Sequence, residues 1–176
     1  ENVEFSPGLL FRCADLPKLC IGVEICEDLW VADTPSTRLA QGGATLILNP
    51  SASDETVCKD DYRRTLLSAT SGRLVCGYVY ADAGWGESST DLIYAGHSLI
   101  AENGTILAQR RFETGLTVTE LDLEKLCHER QRMSTFPADA PDLFPQYFRL
   151  NVEETTLTRP VAKNPFVPAD HGDRAA

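Results

Sequence analysis

A layered α/β fold is the architecture this sequence predicts, and three observations carry it. Residues 19–25 and 44–48 are short apolar runs of strand length with a helix signal between them, the order of a parallel crossover. The clearest helical spacing, over 58–73, is followed directly by an aromatic and β-branched run over 74–81. Each of these three strands ends in a polar loop, and in open α/β sheets the loops at the carboxyl ends of parallel strands form the site crevice.

In chain order, Ser6-Pro7-Gly8 marks a turn, and residues 9–12 form a short apolar strand. Residues 14–17 make a hairpin-like connection into the central strand at 19–25. Thr34-Pro35 has the cap-and-first-position pattern of a helix start and Gly42-Gly43 the matching stop, which places a helix over 35–41. The strand at 44–48 runs into the polar loop 49–54. Over 58–73, Tyr62, Leu66, Ala69 and Arg73 recur at helical spacing as the expected inner face, with Asp60, Arg63 and Arg64 off it. After the loop 84–90, residues 92–94, 97–101 and 105–109 read as short strands, with a hairpin turn at Asn103-Gly104. Residues 116–121 alternate as an exposed strand would, and 123–133 is a charged helix. From 134 onward come six of the ten prolines, which predicts an extended arm or linker outside the layered core. Two regions follow: residues 1–133 as the folded part and 134–176 as the arm.

The 176 residues suffice for one core, and a net charge of −10 argues against nucleic acid or an anionic membrane as partner. No apolar run reaches the ~20 residues of a membrane span. Six cysteines without knuckle or redox spacing fit a reduced, cytoplasmic chain better than a disulfide framework. The first residues resemble neither a signal peptide nor a natural start, so the chain is expected to begin inside a larger protein.

Cys26 stands where the central strand enters a polar turn with Glu27 and Asp28. A strand end fixes a nucleophile's backbone while the turn exposes its sulfur and frees the next N–H groups for an oxyanion. The bland alternative is one more buried cysteine. Candidate helpers are Glu27, Ser53, Lys59, Asp28 and Asp91; each has an ordinary reading as a cap, a loop hydroxyl or a solvated side chain. His97, between Gly96 and Ser98, reads as structural rather than as a base. Gly96-His97-Ser98 does not match a serine-hydrolase elbow, and Gly84-Trp85-Gly86 is too short for a phosphate loop. His128 and His171 have no metal partner at useful spacing, so no metal site is expected.

The run Gly22-Val23-Glu24-Ile25-Cys26-Glu27-Asp28-Leu29-Trp30 resembles the nucleophile segment of the nitrilase (carbon–nitrogen hydrolase) superfamily. More closely, it resembles the glutaminase domain of the glutamine-dependent NAD synthetase family. Residues 47–53, Tyr62-Arg63-Arg64, and the run 86–92 leading to 96–104 agree in order, and Asn164-Pro165-Phe166-Val167-Pro168 resembles the linker to that family's ATP-dependent synthetase domain. The resemblance covers nearly the whole chain. It implies a four-layer α-β-β-α sandwich, of which this is the C-terminal half, and a Glu base, a Lys and a Cys nucleophile. Cys26 matches the nucleophile and Glu1 the accessory acid that holds the Lys, while the base and the Lys fall upstream. Glu27, Ser53 and Lys59 would contact glutamine and Trp30 would line the pocket. Cys58 departs from the small residue the family has before Lys59.

The implied function is glutamine amide hydrolysis that supplies ammonia for conversion of deamido-NAD to NAD. No cofactor is expected in this chain; ATP, Mg²⁺ and deamido-NAD would belong to the synthetase domain. The fragment alone is expected to be inactive, and a homo-oligomer is implied by resemblance. The competing readings are a free-standing amidase acting on a small amide and a catalytically dead assembly module.

Overall fold

The computed structural model describes residues 5–137, 140, 142–152 and 155–161. Seven strands form a single sheet: β1 (Leu9–Cys13), β2 (Cys20–Val23), β3 (Leu46–Ser51), β4 (Gly77–Asp82), β5 (Ser98–Glu102), β6 (Thr105–Arg110) and β7 (Phe144–Phe148). Their order is β6-β5-β4-β3-β2-β1-β7. The centre, β2-β3-β4, is parallel; β1 and β5 run antiparallel to it on either side. Helices α1 (Pro35–Gln41) and α2 (Lys59–Leu74) make the two crossovers, and α3 (Leu123–Arg132) follows β6. Successive crossovers of one hand that advance in one direction put both helices on one face of the sheet. Accordingly α1 and α2 touch each other, α1 packs on β2, and α2 packs on β4, β5 and β6.

The core lies between that face and the helices. Leu10, Cys20, Ile47, Tyr78, Tyr80, Leu99 and Ala101 point to it from the strands, and Leu39, Ala40, Leu67 and Leu74 from the helices. Gly22 lets α1 come close: a Cβ there would lie 3.0 Å from Leu39 Cβ and 3.2 Å from Ile47 Cδ1. One sheet with helices against one of its faces supplies two of the four layers that the sequence resemblance implies.

Several boundaries differ from expectation. β3 continues through Asn49-Pro50-Ser51, which read as loop, pairing with Tyr80, Ala81 and Asp82. Pro50 is tolerated because its missing N–H shares the side of Leu48, whose carbonyl accepts from Glu24, and β2 has ended by then. Residues 92–94 and 116–121 are not strands; neither finds a partner in the sheet among the described residues. The inner face of α2 is also not the one predicted: Arg63, Leu67, Thr70 and Leu74 are buried, whereas Tyr62, Ala69 and Arg73 are exposed. The arm after 134 contributes β7, which adds parallel to β1 at the sheet edge, where Pro145 costs no ladder bond. Thr158 and Arg159 then bind Glu120, and Arg159 pairs with buried Glu102 at 2.5 Å, so this stretch is strapped to the sheet rather than held apart from it. The Asn103-Gly104 hairpin joins β5 and β6 with both residues at positive φ, 45° and 87°, as a primed turn requires.

Candidate functional site

The three loops expected to converge do so at the carboxyl ends of β2, β3 and β4. The Cys26 N–H donates to Asn49 Oδ1 at 2.9 Å, joining the first loop to β3. Ser53 N–H donates to Asp82 Oδ1 at 2.8 Å and Glu55 N–H to the Ile93 carbonyl at 2.7 Å, joining the second loop to the third.

Cys26 opens a 3₁₀ turn, Cys26–Leu29, directly beyond the end of β2. Its φ of +52° lies in the left-handed region, which a residue with a Cβ enters only when its surroundings hold it there. Asn49 grips it from both sides, accepting from its N–H and donating to its carbonyl at 3.4 Å. Asp28 closes the turn by accepting from the Ile25 N–H at 2.7 Å, so it serves as a cap. Cys26 itself is half-buried. With its own N–H committed to Asn49, the next main-chain donor available to an oxyanion is the N–H of exposed Glu27.

Trp30 and Lys59 lie against each other. Lys59 Nζ sits 5.5 Å from the centre of the Trp30 ring, and Tyr62 stacks on the same ring at 5.6 Å. Lys59 also donates to the Asp54 carbonyl at 2.6 Å and its carboxylate at 2.7 Å, fixing the first turn of α2 to the loop that carries Ser53. The lysine holds the Asp54 carboxyl below its ordinary range. Cys58, just before Lys59, has a φ of +65°, a left-handed position that favours glycine.

Ser53 is buried over a cluster that the sequence reading did not assemble. Arg63, 0% exposed, bonds Glu55 at 3.0 Å, His97 Nδ1 at 2.9 Å and Ser53 Oγ at 3.4 Å, with Asp82 at 4.0 Å. Arg111 reaches Glu55 and Asp60 from the outer side. Burial raises the Asp82 carboxyl, and burial with the Arg63 charge lowers His97 to about 4. His97 is therefore a neutral acceptor at neutral pH, the structural histidine expected. The signal for Arg63 was present: Lys59, Arg63, Leu67, Thr70 and Leu74 recur at steps of four, four, three and four. A charge within that stripe concealed it. Asn49 lies in a quoted motif but carried no predicted role, and Tyr62 was assigned to the core.

Asp91 is exposed, and Glu1, His171 and the Asn164-Pro165-Phe166-Val167-Pro168 motif lie outside the described residues. Among the described residues no three His, Cys, Asp or Glu side chains gather into a metal-binding group, and no helix is long and apolar enough to cross a membrane.

The chain is similar to known proteins over most of its length. The family described as "Carbon-nitrogen hydrolase" matches residues 1–130. The glutamine-dependent NAD(+) synthetase of Mycobacterium tuberculosis (strain H37Rv) is 40% identical over 96% of this chain and 27% of its own length. That of Mycobacterium leprae is 43% identical over 94% of this chain and 26% of its own. This chain therefore spans about a quarter of those relatives. Among solved structures, the glutamine-dependent NAD+ synthetase of Acinetobacter baumannii superposes with a TM-score of 0.51 at 29% identity, covering 55% of this chain and 18% of that one. Nit3 of Saccharomyces cerevisiae, a member of the nitrilase superfamily, shares the fold, with a TM-score of 0.57 at 23% identity over 66% of this chain and 42% of its own.

Proposed function

The chain belongs to the carbon–nitrogen hydrolase family, and on that footing we propose that it cleaves the side-chain amide of glutamine with Cys26 as nucleophile, as part of a glutamine-dependent NAD synthetase. The observation that carries the reading is Cys26 itself: a half-buried thiol in a left-handed turn at a strand end, its backbone gripped by Asn49.

The Cys26 thiolate adds to the amide carbon, and the oxyanion is held by the Glu27 N–H together with the family lysine. Collapse expels the amine as ammonia once it has gained a proton from the family's general acid–base glutamate, leaving a glutamyl thioester that water hydrolyses. That glutamate and lysine are not among the residues placed here; Glu1 is assigned to the acid that orients the lysine. Glu27, Ser53 and Lys59 hold the glutamine, and Trp30 forms a wall of its pocket. The Trp30–Lys59–Tyr62 cluster supports this.

Ammonia then passes to a synthetase domain that converts deamido-NAD to NAD. ATP, Mg²⁺ and deamido-NAD are assigned to that domain and none to this chain; residues 134–176 lead toward it, and the assembly is a cytoplasmic homo-oligomer. These 176 residues alone are expected not to turn over glutamine. The test measures NAD formation by the full-length gene product with glutamine or ammonia as donor, in wild type and Cys26→Ala. Loss of only the glutamine-dependent reaction supports the reading. If wild type forms NAD with neither donor, the synthetase assignment is wrong.

A further inference from the structure

Behind Cys26 runs a buried polar chain that no part of the hydrolysis scheme has yet used. Asn49 Nδ2 donates to the Tyr78 hydroxyl at 3.1 Å, and that hydroxyl donates to Glu24 Oε1. Glu24 Oε2 accepts from the Ser36 N–H at 2.8 Å, in the first turn of α1, where an acid is favoured. Asn49, Tyr78 and Glu24 are each at most 1% exposed. They stand on the same face of three adjacent strands, since Asn49 follows the Ile47–Tyr78 pair by two residues and Glu24 follows Val23, the partner of Leu48.

The three bonds that lead from Cys26 to Glu24 point the same way. The Cys26 N–H donates to the Asn49 carbonyl oxygen, the Asn49 amide donates to Tyr78, and Tyr78 donates to the Glu24 carboxyl group. Aligned hydrogen bonds in a low-dielectric interior polarise one another and fix the orientation of each member. The Asn49 amide has no freedom to flip, because a flip would set its NH₂ against the Cys26 N–H and its oxygen against the Cys26 carbonyl. Holding a purely structural turn does not require a buried acid, a phenol and an amide in series; a glycine at position 26 would adopt the same φ without them.

We propose that Asn49 is a positioning residue for the nucleophile: its side-chain amide, clamped by Tyr78 and Glu24, holds the Cys26 backbone in the left-handed turn and so aims the sulfur and the following N–H at the substrate. The inference rests on Cys26 being the nucleophile, and the test separates failure of one from failure of the other.

The full-length gene product is prepared as wild type, Asn49→Ala and Tyr78→Phe. For glutamine hydrolysis, Asn49→Ala should lower kcat on the order of 10²-fold, the usual cost of a misplaced reacting group. KM should stay within about threefold, since Lys59, Trp30 and Ser53 are held by other contacts. Tyr78→Phe keeps the ring and should lower kcat about tenfold, the equivalent of one hydrogen bond. Ammonia-dependent NAD formation should be unchanged in both. A merely structural role would instead leave kcat intact, or move kcat, KM and the ammonia reaction together, and either result overturns the proposal. A crystal structure of Asn49→Ala supplies a readout independent of activity. Cys26 should leave positive φ; retention of the left-handed turn overturns the proposal even if wild type hydrolyses no glutamine. If Asn49→Ala does not fold, unchanged kcat in Tyr78→Phe overturns it as well.

Discussion

Acid should unfold this domain in part through one residue. His97 is 2% exposed, and its Nδ1 lies 2.9 Å from Arg63 Nη1. A guanidinium only donates, so the neutral ring accepts at Nδ1 and carries its proton on Nε2. Protonation would remove that acceptor and set two cations side by side. Burial and then the Arg63 charge hold the histidine at about 4, against 6.5 for a free imidazole; Arg111 acts with them, while Glu55 and Asp60 oppose. Because the folded-state value is depressed, the unfolded chain takes up the proton first as pH falls. The stability this group contributes is fully present above pH 6.5 and is lost as pH falls toward 4. At about 1.4 kcal/mol per unit, the loss between neutral pH and pH 4 is about 3 kcal/mol. His97→Asn keeps an acceptor near the Nδ1 position and does not titrate. Urea unfolding of both proteins across this range should show the variant losing about 3 kcal/mol less. Buried Asp82 works the other way, since its raised carboxyl favours proton uptake by the folded state, but it does so in both proteins and cancels in the difference. Parallel pH profiles for the two proteins would refute the reasoning.

Three further outcomes follow from the same geometry. Arg63→Met removes the cation between Glu55 and Asp82, whose side chains are 7% and 0% exposed; breaking such a buried group costs about 3–5 kcal/mol, and a loss under about 1 kcal/mol in urea unfolding would contradict it. Lys59→Met keeps an alkyl stem over Trp30 but loses the charge, so KM for glutamine in the full-length enzyme should rise at least about tenfold with kcat little changed, and an unaltered KM would remove Lys59 from the pocket. On brief alkylation of the native chain read by peptide mass spectrometry, exposed Cys58 should react early and Cys76 not at all until unfolding, because burial pushes that thiol up to about 12.

What could be read in advance divides along physical lines. Helix α1 was legible to the residue because its limits are local: Thr34-Pro35 and Gly42-Gly43 act within one turn. The Asn103-Gly104 turn was legible for the same reason. The inner face of α2 was not, because the stripe that faces the core carries Arg63, and a hydrophobicity pattern cannot represent an arginine neutralised by Glu55 and Asp82 brought from elsewhere in the chain. Strand β7 was hidden by Pro145, which argues against a central strand but not against an edge. At the site, the strand-end cysteine was visible in the pattern of residues 19–28. The grip of Asn49 on Cys26 spans 23 residues and appears only once β2 and β3 lie side by side.

The two faces of the sheet are covered differently. One is closed by α1 and α2. The other carries Phe11, Ile21, Val23, Leu46, Leu48 and Val79 in register, all apolar and all only half-buried. A sheet built to meet water on one side alternates apolar with polar residues; these central strands are apolar on both sides, as strands covered on both faces are. Among the described residues, Leu121 lies over Gly77 at one end of that face. The four-layer sandwich provides the missing cover with a second sheet, and by the family resemblance the polypeptide that supplies it also brings the general base and the lysine. Burying the open face and completing the site around Cys26 would then be one event. A chain holding only this half would keep Cys26 in its left-handed turn and expose a broad apolar surface until a second sheet packs against it.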